Sequence, residues 1–233
     1  MIVALNNKSN LNNQEFMAYQ ERLCRINCKY TLILCPTLLN IANFNLPNIF
    51  LGSQNVSKDL GGAHTGEVAA EHLKSYNVKY CLVGHSERRQ TQNETNEEIA
   101  KKIKHLFVEK ITPILCVGET HEQRKLGETN KIISEELMTA IMDLTEKEKE
   151  KLIVAYEPIW SIGTGVIPTN EEITEAFKTI KNILPNTKVL YGGSANEQNI
   201  LKLKECSLID GYLVGGLSLK PELLEIFLEK LEN

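Results

Sequence analysis

Eight short apolar runs punctuate the 233-residue chain, one for about every 29 residues. They are Ile2–Leu5, Thr31–Cys35, Ile49–Gln54, Tyr80–Val83, Thr112–Val117, Leu152–Tyr156, Lys188–Tyr191 and Gly211–Val214. The runs are apolar at successive positions, as expected of parallel strands buried on both faces. Between them the spacing changes to the helical period. Ile99, Ile103, Leu106 and Phe107 share one helical face. Ile173, Ala176, Phe177, Ile180 and Leu184 share another, as do Leu223, Leu224, Phe227, Leu228 and Leu231. The sign-alternating stretch Glu146–Lys151 is read as a solvated helix end or turn before the strand at Leu152.

Strict β–α alternation permits an open doubly wound sheet or a closed (β/α)8 barrel. Eight units at this short spacing favour the barrel. The chain lacks both a Gly-Lys-Ser/Thr phosphate loop and the strand-linked glycine fingerprint of dinucleotide folds, which weakens the open-sheet nucleotide alternative. No Pro- or Ser-rich linker divides it, so residues 1–233 are expected to form a single barrel catalytic domain.

Composition supports a folded core, with 42% hydrophobic and 24% charged residues. A net charge of −4 gives no bulk attraction to nucleic acid or an anionic membrane, but leaves room for a local anion site. The start, Met1–Asn6, lacks the basic segment and long apolar core of a signal peptide. No apolar run approaches the roughly 20 residues of a membrane span. The expectation is a cytoplasmic enzyme. Cys24, Cys28, Cys35, Cys81, Cys116 and Cys206 form no Cys-x-x-Cys pair and are read as small buried apolar residues in a reducing compartment. No metal site is assigned, and His64, His72, His105 and His121 show no paired ligand spacing.

In such a barrel, chemistry gathers just beyond the C-terminal strand ends. After the first run come Asn6 and Lys8, and after the fourth Gly84-His85-Ser86-Glu87-Arg88-Arg89. After the sixth comes Glu157-Pro158-Ile159-Trp160-Ser161-Ile162-Gly163-Thr164-Gly165. Gly192-Gly193-Ser194 and Gly215-Gly216 follow the seventh and eighth. Taken singly, each has a plain explanation: a solvated carboxylate, a histidine capping a turn, a surface lysine, glycine turns. Together on one face they make a site for a phosphorylated anion. Glycine turns let backbone N–H groups approach phosphate, and helix N-termini add partial positive charge. Lys8 suits an enolate-like anion, Glu157 a general base and His85 a proton donor or polariser. Glu119, closing the fifth run, is read as structural, paired with a base near the strand ends.

The motifs Ala155-Tyr-Glu-Pro-Ile-Trp-Ser-Ile-Gly-Thr-Gly165, Val83-Gly-His-Ser-Glu-Arg-Arg89, Tyr191-Gly-Gly-Ser194 and Leu213-Val-Gly-Gly216 come in this order at the matching strands. In them the chain resembles the triosephosphate isomerase family, from Asn6 to Leu219. The resemblance implies cofactor-independent interconversion of dihydroxyacetone phosphate and D-glyceraldehyde 3-phosphate, in glycolysis and gluconeogenesis. It assigns Glu157 as the base, His85 as the polariser, Lys8 as fixed charge and Asn6 as its orienter. Gly163, Ser194, Gly215 and Gly216 would hold the phosphate. Ser86 would hold Glu157 before substrate arrives, with Glu87 beside Lys8 and His85. Pro158–Trp160 and Val166–Pro168 would be hinges of a lid. The loop Gly61–Glu67 would reach a partner in a homodimer, with Thr65 near its Asn6 and His85 and with Glu67 and Arg88 as a pair across the interface.

Some residues depart from the family pattern. Asn7 stands where relatives usually carry Trp, Ser9 replaces a common Met, and Gln90–Glu94 lacks the usual aromatics. In many relatives the hydroxyl matching Tyr191 accepts a bond from the backbone N–H of the third hinge residue when the lid closes. Here that residue is Pro168, which has no N–H, so lid closure is expected to rely on other contacts. The alternatives are an aldolase-type phosphate-binding barrel, with Lys8 the only placeable amine nucleophile, or a non-catalytic barrel.

Overall fold

The computed structural model describes every residue from Met1 to Asn233. Eight parallel strands close on themselves in sequence order. They are β1 (Ile2–Asn6), β2 (Thr31–Cys35), β3 (Phe50–Ser53), β4 (Tyr80–Val83), β5 (Thr112–Val117), β6 (Ile153–Tyr156), β7 (Lys188–Tyr191) and β8 (Gly211–Val214). The (β/α)8 barrel expected from the alternation is the one that forms.

Strand alternation splits the buried residues into two cores. Ile2, Ala4, Ile33, Cys35, Leu82, Ile114, Cys116, Ile153, Ala155, Leu190 and Leu213 fill the barrel interior. Their neighbours in sequence, among them Val3, Leu34, Val83, Val117, Tyr156, Tyr191 and Tyr212, face the surrounding helices in a second, larger cluster. The helix Asn96–Val108 supplies Ile99, Ile103 and Leu106 to it, Asn170–Ile183 supplies Ile173, Ala176, Phe177 and Ile180, and Pro221–Glu232 supplies Leu224, Phe227, Leu228 and Leu231. Thr95 and Thr169 start the first two of these helices with capping boxes, which satisfy otherwise unpaired N–H groups.

Some boundaries shift. The third strand is shorter than its apolar run, running from Phe50 to Ser53, and just beyond it the Gln54 side chain donates to the Lys8 and Cys35 carbonyls. Glu146–Lys151 is a complete short helix, capped by Thr145. Leu152 is its C-cap and not the first residue of β6. Cys35, Cys81, Cys116 and Cys206 are buried, but Cys24 is exposed and Cys28 only half-buried, so the reading of all six as buried is corrected for these two. Both lie at the polar end of the first helix and its following turn, outside the core. No helix is long and apolar enough to cross a membrane.

The barrel closes where β8 meets β1, pairing Ile2 with Gly211. A Cβ at Gly211 would collide with the Ile2 carbonyl and crowd Leu190. Gly211→Ala is therefore expected to cost about 3 kcal/mol of stability through overpacking at the seam. Urea unfolding checks this, and an unchanged midpoint would contradict it.

Candidate active site

Residue 157 continues the inward alternation of Ile153 and Ala155, so its side chain emerges over the barrel mouth. The flanking strands leave it room. A Cβ at Gly118, after β5, would collide with the Glu157 carbonyl, and one at Gly192, after β7, would press on the Glu157 Cγ at 3.0 Å. Glu157 is only 2% exposed. One carboxylate oxygen accepts the Ser86 backbone N–H at 3.0 Å, and the other lies 3.1 Å from His85 Nε2.

His85 caps the short helix Ser86–Thr91. Its Nδ1 accepts the Glu87 backbone N–H at 3.2 Å. An imidazole nitrogen that accepts a hydrogen bond carries no proton, so the ring's N–H sits on Nε2, directed at Glu157. Glu87 reaches Lys8, with Oε1 2.5 Å from Nζ. Lys8 adopts a left-handed backbone, with φ of 52°, sparsely populated for a side chain of this type. Asn6 Oδ1 stabilises that turn by accepting the Lys8 N–H at 3.0 Å, and Gln54 donates to the Lys8 carbonyl at 2.8 Å. Asn6, like Glu157, extends an inward alternation, that of Ile2 and Ala4.

These groups border a cavity of about 310 Å³. Asn6, Lys8, His85 and Glu157 line one part, and Gly163, Ser194, Gly215 and Gly216 another. The sequence-assigned catalytic and phosphate-binding residues thus share one cavity. A neighbouring cleft shares Asn6, Lys8 and His85 and adds Glu67 and Arg88. Thr65 projects on an exposed loop, and Arg88 lies 3.4 Å from the buried Glu94 of its own chain.

Glu119 carries the structural role expected of it. It pairs with Arg124 at 3.0 Å and accepts from the Tyr156 hydroxyl and from Trp160 Nε1. Trp160 is thereby tied to the end of β5. Asn7 is fully buried and donates to Ser218 Oγ at 3.1 Å, joining the turns after β1 and β8.

A family model described as triosephosphate isomerase matches residues 1–231. The chain belongs to the triosephosphate isomerase family. Relatives of that name include those of Dictyoglomus turgidum, 42% identical over 82% of both chains, and Clostridium beijerinckii, 42% identical over 82% of both. The relative from Amoebophilus asiaticus is 39% identical over 94% of both chains. The isomerase interconverts dihydroxyacetone phosphate and D-glyceraldehyde 3-phosphate, a glycolytic reaction that needs no cofactor.

The isomerase also holds a buried charged group beneath this site that sequence reasoning missed. Arg89 donates to the Gly84 and Cys116 carbonyls and lies 3.3 Å from Glu136, whose other oxygen accepts the Gly118 N–H at 2.9 Å. The group braces the ends of β4 and β5 under Glu157. Glu136 sits mid-helix at an ordinary charged position, so no local signal marks it as buried.

Burial pushes the Glu136 carboxyl up from 4.5 to about 7, against the lowering pull of Arg89 and the Gly118 N–H. A carboxyl raised on folding contributes no penalty while both states are protonated, below about pH 4.5. Its ionisation then costs stability up to about pH 7, where the loss levels at about 3 kcal/mol. Glu136→Gln removes this titration. The stability of the variant relative to wild type is expected to rise between pH 5 and pH 8 in urea unfolding. An equal difference at both pH values would contradict the assignment.

Proposed function

We propose that residues 1–233 act as one catalytic barrel in which Glu157 is the base of the isomerisation. The observation that carries this reading is the placement of the Glu157 carboxylate and His85 Nε2 3.1 Å apart over one cavity. Both groups face the same small volume, so a carbonyl and its adjacent carbon bound there meet a donor and an acceptor together.

In this reading Glu157 removes the proton from the carbon next to the carbonyl and returns it to the neighbouring carbon. His85 donates from Nε2 to the carbonyl oxygen and moves protons between the two enediolate oxygens. Lys8 supplies positive charge as negative charge develops on them, oriented by Asn6 and by Glu87. Backbone N–H groups of Gly163, Ser194, Gly215 and Gly216 hold the phosphate. Before substrate binds, the Ser86 N–H and His85 occupy both Glu157 oxygens, so binding must release the base from these donors. Closure of the lid over it excludes water, which strengthens each charge interaction and protects the enediolate. The ion pair of Lys8 with Glu87 favours this electrostatic role over an amine nucleophile of aldolase type.

The working form in this reading is a cytoplasmic homodimer. The exposed Gly61–Glu67 loop and the cleft opening beside His85 support it, with Thr65 entering the partner's cleft and Glu67 and Arg88 facing each other across the interface.

Glu157→Gln keeps the shape and removes the base. It is expected to lower kcat for D-glyceraldehyde 3-phosphate about 10³-fold with KM little changed, in a coupled assay on folded dimer. Retention of wild-type turnover would remove Glu157 from the role.

A further inference from the structure

Pro168 leaves the second hinge without a backbone donor, and the structure supplies a different polar group in its place. Ser161 is fully buried at the foot of the lid. Its hydroxyl donates to the Val166 carbonyl at 2.6 Å, across the lid tip. It lies 3.4 Å from the Tyr191 hydroxyl and accepts the Ser194 N–H at 3.4 Å. A serine oxygen has one proton and two lone pairs. With the proton committed to Val166, Tyr191 is the donor in the second contact, and the hydroxyl's capacity is filled. Ser194 Oγ returns a bond to the Ser161 carbonyl at 2.6 Å.

The rest of the tip is braced by Thr164, whose hydroxyl donates to the Trp160 carbonyl at 3.1 Å and accepts the Val166 N–H at 3.2 Å. The segment from Ser161 to Val166 is thus tied at its neck. It contains two glycines at positive φ, Gly163 at 71° and Gly165 at 78°, which would otherwise leave it pliable.

We propose that Ser161 is a positioning residue, whose hydroxyl locks the two ends of the lid tip to each other and to the Ser194 turn so that the Gly163 and Ser194 N–H groups meet the substrate phosphate together. This rests on the phosphate-site assignment made above. The Ser194 N–H is held by the Ser161 oxygen until an anion takes it, and the long 3.4 Å contact makes that exchange easy. Tyr191 contributes one weak bond to the arrangement, whereas Ser161 joins three partners.

The test compares wild type with Ser161→Ala, Ser161→Cys and Tyr191→Phe, using D-glyceraldehyde 3-phosphate, unphosphorylated D-glyceraldehyde and inhibition by inorganic phosphate. Ser161→Ala is expected to lower kcat/KM for the phosphorylated substrate about tenfold and to weaken phosphate inhibition severalfold. It should leave kcat/KM for D-glyceraldehyde unchanged, because that substrate has no phosphate to be met. Ser161→Cys, which keeps a weak donor, should fall between, and Tyr191→Phe should change little. Equal losses on both substrates, or unaltered phosphate inhibition, would overturn the proposal. If Ser161→Ala is too unstable to assay, the same selective loss is required of Ser161→Cys, and its absence there overturns the proposal. Failure of the underlying phosphate-site reading is distinguishable. It would appear as a wild type that is not inhibited by phosphate and does not prefer the phosphorylated substrate, whereas failure of this proposal alone would leave both properties in the wild type and Ser161→Ala like wild type.

Discussion

Glu157 rises between two glycines because neither neighbouring strand end could carry a side chain there. Gly118 on one side and Gly192 on the other stand where a Cβ would strike its carbonyl or crowd its side chain. The rest of the site is arranged around the carboxylate so admitted. Inward alternation sets its direction, the turn after β4 brings Ser86 N–H and His85 to its two oxygens, and Glu87 in that same turn reaches across to Lys8. A larger residue at 118 would displace Glu157 and disturb its contacts with the turn after β4.

Below this layer the fold is held by ordinary forces. Two apolar cores sit on opposite faces of the same strands, and capping boxes start the helices. The polar layer above is costlier to bury and is accordingly well bonded. Arg89 spans two strand ends, Glu136 holds the Gly118 N–H, and Glu119 gathers Arg124, Tyr156 and Trp160. Buried groups without such partners would cost several kcal/mol. These bonds tie the strand ends at the mouth of the barrel to one another and to Trp160.

Much of this was legible in the chain itself. Continuous apolar runs identified the strands because both faces are buried, and five runs match their strands residue for residue: Thr31–Cys35, Tyr80–Val83, Thr112–Val117, Lys188–Tyr191 and Gly211–Val214. Glu157, His85, Lys8 and the glycine turns stood out because strand ends share one face of a barrel. What escaped was contact between residues distant in sequence. Gln54 looked like strand until its amide was seen to bind the Lys8 carbonyl, and Glu136 looked like a surface helix position. Pro168 announced a missing donor, but nothing local named Ser161 as the group that meets Tyr191. Cys24 and Cys28 were misplaced because they fall at and beyond the C-terminal end of the first helix, where apolar character alone does not say whether a residue reaches the core.

The most direct test is a crystal structure with a phosphorylated, planar analogue of the enediolate. The account predicts that the Glu157 carboxylate leaves the Ser86 N–H and faces the reacting carbons, with His85 Nε2 on the analogue's oxygen and the phosphate against Gly163, Ser194, Gly215 and Gly216. A complex in which the phosphate binds elsewhere, or in which Glu157 remains on Ser86 with the analogue in place, would contradict it.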